Sequence, residues 1–295
     1  MSATVLVTGA SSQLGVFLLP RLQAAGFSVR ALSRRVSARP VKVSSGVEWW
    51  RSQVANDPER VKALVSCGPL SLAVDLAGQG EAIERVVAFS TTSVLTKAAS
   101  GNRAESRQVA SILTEETRLQ AICQQRGISL LLLRPTLIYG CGLDQNISLL
   151  ARFGKRFGFI PVAGNAGGLR QPVHADDLAA LAVRALVRAQ AVNLTSPVCG
   201  GSTITYQEMV TEIASCLEGV RAVSIPPGLF GAAAGLASMF PAFRGINAEM
   251  VRRQAVDLVF DDTALHSALS YEPRPFRPRL ADFSVPSGAG KLQLG

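Results

Sequence analysis

The stretch Thr4-Val5-Leu6-Val7-Thr8-Gly9-Ala10-Ser11-Ser12-Gln13-Leu14-Gly15 limits what this chain can fold into. An apolar strand runs straight into Gly9, and a helical apolar spacing, Leu14, Leu18, Leu19 and Leu22, starts as soon as the turn is over. Strand, glycine turn and helix in that order form the context of a dinucleotide fingerprint. Gly9 permits the tight turn, and Gly15 lets helix and strand pack closely. The N–H groups that open the helix then present partial positive charge to a pyrophosphate. The contact set predicted here is Gly9, Ser11, Ser12, Gln13, Leu14 and Gly15. An ordinary strand-to-helix turn without a ligand is the other reading of the same pattern.

The pattern continues as strands alternating with helices. A second strand is predicted over Phe27 to Leu32, a third over Val47 to Arg51, a fourth over Leu72 to Leu76, a fifth over Arg85 to Phe89 and a sixth over Ile128 to Leu133. Asp57-Pro58-Glu59 has the capping acid and first-turn proline of a helix start. The expected class is α/β, a doubly wound parallel sheet with a smaller, mostly helical C-terminal lobe. The dinucleotide domain is expected over 1–142, completed by about 171–195. The lobe takes 143–170 and 196–286, and 287–295 forms a flexible tail. At 295 residues and 48% hydrophobic content, the chain can bury a core of that size.

The second strand ends in Ser33-Arg34-Arg35, and no acidic residue occurs before Glu48. A carboxylate at this position binds the adenine ribose hydroxyls of NAD, whereas a 2′-phosphate needs cations and hydroxyls. NADP(H) is therefore expected over NAD(H), with Arg34 as the forked phosphate partner beside Ser33 and Arg35.

Four blocks, TGASSQLG, FSTTSV, LLLRPTLIYG and RQPVHADDLA, stand in an order and spacing that resemble the extended short-chain dehydrogenase/reductases. Their nearest likeness within that group is to the NAD-dependent epimerase/dehydratase branch acting on nucleotide sugars. The resemblance implies that Thr91 is the catalytic hydroxyl, with Thr92 as the fallback. It implies cofactor contacts from Gln53, which stands where relatives have an Asp for the adenine, from Ala77 and Gly78, and from Pro135, Thr136 and Leu137 beside the nicotinamide. It implies substrate contacts from Tyr139 and Arg170, a small-molecule substrate of the nucleotide-sugar kind, and leaves a homodimer open.

The same resemblance requires a Tyr and, four residues on, a Lys, which share one face of the helix after the fifth strand. Counting back from Arg134-Pro135 places these positions on Gln108 and Ile112, and Ala98 to Ile138 holds no Tyr and no Lys. Glu105, Arg107 and Tyr139 are the substitutes within reach. The expectation is an NADP(H)-binding oxidoreductase or epimerase-like protein with a degenerate acid/base site. The alternative is a non-catalytic NADP(H)-binding sensor or assembly protein.

The net charge of +9 concentrates around Arg30, Arg34, Arg35, Arg39 and Lys42, where a phosphorylated cofactor is a simpler partner than nucleic acid. Cys67, Cys123, Cys141, Cys199 and Cys216 form no C-x-x-C pair, and with His174 and His266 they suggest no metal site. No signal peptide or spanning segment is expected, which points to the cytoplasm. Gly228 to Phe243, apolar with embedded Gly and Pro, leaves room for weak peripheral membrane contact.

Overall fold

The computed structural model describes residues 3–33, 41–43, 47–50, 61–97, 102–164, 166–226 and 253–284. Its centre is an eight-stranded sheet in the order β12-β7-β6-β5-β1-β2-β4-β3. Seven strands are parallel: β1 (Thr4–Thr8), β2 (Ser28–Leu32), β4 (Val47–Trp50), β5 (Val61–Ser66), β6 (Arg85–Phe89), β7 (Ser129–Pro135) and β12 (Leu194–Val198). Edge strand β3 (Val41–Val43) runs antiparallel to β4. This is the doubly wound α/β architecture that the strand-turn-helix pattern requires.

Helices cover both faces. On one face, α1 (Gln13–Ala24) and α6 (Ala175–Val187) pack on the sheet through Leu18, Leu22, Leu178 and Leu181. Each leucine of that kind, fully withdrawn from water, contributes about 1.5–3 kcal/mol. On the other face lie α2 (Leu70–Gln79) and α4 (Arg103–Arg126), seated through Ala73, Val74, Leu119 and Cys123. Asn102 caps the start of α4, accepting from the N–H groups of Ala104 and Glu105, and Gly127, in the left-handed region at φ +66°, ends it. The buried Glu116 on α4 is paired with Arg134 of β7 at 2.5 Å, which fixes the helix's register against the sheet.

Two expectations about this half need correction. Leu72 to Leu76 is not a strand: it lies inside α2, and the fourth parallel strand is β5, Val61–Ser66. A helix opened by Asp57 would have to run into that strand, and residues 51–60 lie outside the described set. Ala77 and Gly78 consequently sit near the end of a helix, Ala77 fully buried, with both carbonyls accepting from Arg126. The segment that follows the fourth strand is Cys67-Gly68, and it lies against Gly9.

The second body of the fold is a lobe formed by α5 (Ile147–Phe157), β9 (Phe159–Ala163), α7 (Tyr206–Ser215) and β14 (Arg221–Ile225). Its own core includes Ile147, Ile160, Val210 and Ile213. The boundary is less simple than 196–286 implies. Strand β12 belongs to the main sheet, and α8 (Thr263–Leu269) buries Leu265 and Leu269 in the α1/α6 core.

Charged groups tie the late chain to the early helices. His174 caps α6: its Nδ1 accepts from the Asp176 N–H at 3.0 Å, while Nε2 faces Asp282 at 3.4 Å. Asp176 receives Arg21 at 2.6 Å and Arg274 at 2.8 Å. Burial pushes the Asp176 carboxyl up, but the bonds from Arg21 and Arg274 outweigh it and hold the group below the usual carboxylate range. Asp282 is likewise pushed up by burial and held below its ordinary value by His174 and the Arg279 N–H.

A carboxylate whose pKa is depressed in the folded state contributes stability above its unfolded pKa of about 3.9 and loses it as pH falls toward the folded value. Melting temperature should therefore drop as pH is lowered below about 4, and Asp176→Asn should flatten that acid limb. An unchanged limb in the variant would remove Asp176 from the balance.

Candidate active site

The site begins at the turn after β1. Gly9 has φ +61°, and a Cβ there would lie 2.4 Å from the Cys67 carbonyl oxygen. A Cβ on Gly15 would lie 2.0 Å from the Ala10 carbonyl oxygen. No side chain fits at either place, so β1, β5 and the first turn of α1 approach one another only with glycines here. Ser12 caps α1 by accepting from the Gly15 N–H at 3.3 Å. The Ser11 hydroxyl meets that of Ser33, at the end of β2, at 3.3 Å. Leu14 turns its side chain into the α1/α6 core, so its place in the turn is a main-chain one. Where an NAD-type site would present a carboxylate at the end of β2, this chain presents the buried hydroxyl of Ser33. Arg34, Arg35 and Gln53 lie outside the described residues.

The carboxyl ends of β6 and β7 open into a cavity of about 530 Å³. Its walls bring together Gln13 from the first turn of α1, Thr91 and Thr92 after β6, Pro135, Thr136 and Leu137 at the end of β7, and Arg170 from β10 (Leu169–Arg170). Residues far apart in the sequence thus meet where ligands bind in open α/β sheets, beyond the strand ends at the crossover of the sheet.

Within the cavity the hydroxyls are oriented. Thr91 Oγ1 donates to Ser93 Oγ at 3.1 Å and accepts from the Ser93 N–H, while Thr92 Oγ1 donates to the Pro135 carbonyl at 3.2 Å. The buried Ser90 Oγ has no hydrogen-bond partner among the described residues. Thr136 Oγ1 donates to the Gln171 carbonyl. Arg170 is buried, and its guanidinium donates to the carbonyls of Leu169, Val256 and Arg253 and stands 5.5 Å over the Tyr206 ring. Much of its donor capacity is therefore spent on holding the cavity wall, although it remains part of the lining.

Tyr139 does not reach the cavity. It is buried, with its ring edge-on to His174 at 4.9 Å and to Phe276 at 5.0 Å, and burial pushes its phenol well above the ordinary value. Substrate contact and acid/base work are both closed to it. The reason is local: strand β8 (Ile138–Tyr139) pairs with β11 (Val173–His174), so alternation turns Ile138 to the cavity and Tyr139 to the lobe core.

On α4, Gln108 is exposed and Ile112 packs toward the α2 core, so neither position carries a titrating group into the site. Arg107 is also exposed, and its Nε donates to the Arg103 carbonyl of its own helix. Glu105 faces inward and is gripped by Arg253, at 3.0 Å and closer, and by Lys97 at 3.4 Å. Lys97 and Arg253 line the cavity, and both escape a search confined to the helix after β6. Lys97 stands one residue before the stretch that lacks lysine, and nothing in the local sequence marks either residue.

No protein-family model and no curated protein matches the chain. Solved structures do. One is MoeE5 in complex with UDP-glucuronic acid and NAD, at TM-score 0.70 and 20% identity over 95% of this chain and 97% of that one. Another is epimerase Mth375 from Methanothermobacter thermautotrophicus, at TM-score 0.70 and 15% identity over 96% and 91%. A third is UDP-glucuronic acid 4-epimerase from Bacillus cereus in complex with UDP-glucuronic acid and NAD, at TM-score 0.64 and 15% identity over 92% and 94%. The chain has the Rossmann-like fold of these proteins. The likeness spans both the sheet and the lobe.

Proposed function

We propose that the chain binds a nicotinamide dinucleotide, NADP(H) in preference to NAD(H), and carries out epimerase-like or redox chemistry on a nucleotide sugar or a related carbonyl or alcohol. The observation that carries this reading is the cavity in which Gln13, Thr91 and Pro135 to Leu137 meet beside the Gly9/Gly15 turn. The glycine turn and the capped start of α1 suit the pyrophosphate, and the Ser11–Ser33 hydroxyl pair suits a ribose edge that has no carboxylate partner. A nicotinamide bound in that crevice supplies or accepts a hydride. The protein's part is to orient the substrate oxygen with the Thr91 hydroxyl and to shield it with the apolar lining of Leu137, Leu143 and Leu150.

The α4 face also favours a second reading, a dinucleotide-binding sensor or assembly protein without turnover, because Gln108 and Ile112 replace the acid/base pair. Incubation with NADPH deuterated at C4 and a panel of nucleotide sugars and carbonyls separates the two. Deuterium transfer from NADPH into a carbonyl compound, or epimerised sugar in a parallel incubation of the nucleotide sugars with NADP+, where the hydride leaves the sugar and returns to it, supports the enzyme; NADPH binding with neither outcome supports the sensor.

Cofactor preference has its own test. Arg34→Asp should invert the ranking, making NADH bind more tightly than NADPH, because the loss of a charge-assisted fork costs roughly tenfold or more for the 2′-phosphate. Unchanged preference for NADPH would remove Arg34 from the site.

A further inference from the structure

The cavity wall that continues from β6 is rich in hydrogen-bond donors. Lys97 closes the short helix α3 (Ser93–Thr96) and lines the cavity together with Ser90, Thr91, Thr92 and Ser93. Among the described residues its ammonium donates to Glu105 at 3.4 Å, a long contact, whereas the Glu105 oxygens are held more closely by the fork of Arg253. Among the described residues, Lys97 and Arg253 thus share the one carboxylate of Glu105. An ammonium has three donors, so Lys97 retains capacity toward the space it faces.

One carboxylate, Asp144, stands among the described lining residues against the cations Lys97, Arg170 and Arg253. Asp144, the acid in the lining, accepts from the N–H groups of Asn146 and Ser148 and from the Ser148 hydroxyl. Arg170 adds a further positive charge, and Ser90 Oγ adds a buried hydroxyl with no partner among the described residues. A concave surface with unspent donors and net positive charge suits an oxyanion. Its place matters too: this wall carries Thr91, and Thr136 and Leu137 line the same cavity.

We propose that Lys97, on the cavity wall that also carries Ser90, forms a subsite for a carboxylate on the sugar, so that the chain takes an acidic nucleotide sugar in preference to its neutral counterpart. The proposal rests on the nucleotide-sugar reading above. A charge-assisted bond made only to the acidic sugar corresponds to a preference of about tenfold or more.

Calorimetric titration of the full-length protein with UDP-glucuronic acid and with UDP-glucose tests it, in the wild type, Lys97→Met and Lys97→Arg. The expected result is at least tenfold tighter binding of UDP-glucuronic acid by the wild type, a difference of no more than about twofold in Lys97→Met, and a largely restored preference in Lys97→Arg. Equal affinity for the two sugars in the wild type, or a preference that persists in Lys97→Met, overturns the subsite and leaves the nucleotide-sugar reading standing. If neither sugar binds while NADPH still does, that reading fails and the subsite fails with it.

Discussion

Gly15→Ala should abolish measurable dinucleotide binding while the central sheet still forms. The added methyl would sit 2.0 Å from the Ala10 carbonyl oxygen and 2.5 Å from its carbon, and both are main-chain atoms with no rotamer to escape into. The start of α1 must therefore move away from the turn. Overpacking of this kind costs about 1–3 kcal/mol of stability, which a domain with so large a core can absorb. Binding suffers more, because the Ser12 cap and the first-turn N–H groups are displaced together from the position a pyrophosphate needs. Two charge-assisted hydrogen bonds lost at about 1.5–3 kcal/mol each amount to more than a hundredfold in affinity. NADPH fluorescence titration of the variant, with circular dichroism as a check on folding, reads the effect. A folded Gly15→Ala protein that binds NADPH as the wild type does would place the cofactor elsewhere.

Glu116→Ala should cost far more stability than alanine at the exposed positions of α4. The Glu116 side chain is 2% exposed and that of Arg134 18%, so removing the carboxylate strands a guanidinium between helix and sheet. Breaking a buried pair by deleting one partner costs about 3–5 kcal/mol. The consequence reaches the site as well, because Arg134 immediately precedes the Pro135 to Leu137 segment of the cavity wall. Urea denaturation should show a midpoint shift of that size with an unchanged slope. Glu116→Gln, which keeps an acceptor for one of the two bonds, should lose less. A shift below about 1 kcal/mol for Glu116→Ala would mean that Arg134 finds water or another acceptor.

Much of the sheet can be read directly from the chain because its strands are short apolar runs closed by small or polar residues. The β1 turn is the clearest case, since its glycines answer to main-chain sterics that no other residue satisfies. The error at Leu72 to Leu76 has a definite cause. A buried helix in an α/β fold can be apolar nearly all round, and the five residues Leu72-Ala73-Val74-Asp75-Leu76 fit either period. Extending the window to Leu70, Ala73, Val74 and Ala77 gives the helical spacing that the structure shows. The true fourth strand, Val61–Ser66, follows a proline and an acid that look like a helix start.

The cavity was legible only in part. Thr91, Gln13 and Pro135 to Leu137 line one cavity, whereas strand alternation, which the two-residue pairing of β8 with β11 decides, turns Tyr139 into the lobe core. Lys97 and Arg253 could not be paired from sequence at all. They are brought to the same carboxylate, Glu105, by the packing of the late chain on the start of α4.

The most direct measurement is a calorimetric titration of the purified chain with NADPH and with NADH. The expected result is saturable one-site binding with NADPH the tighter ligand, abolished in Gly15→Ala. No heat with either coenzyme, in protein shown to be folded, would contradict it and leave the glycine turn as a packing device alone.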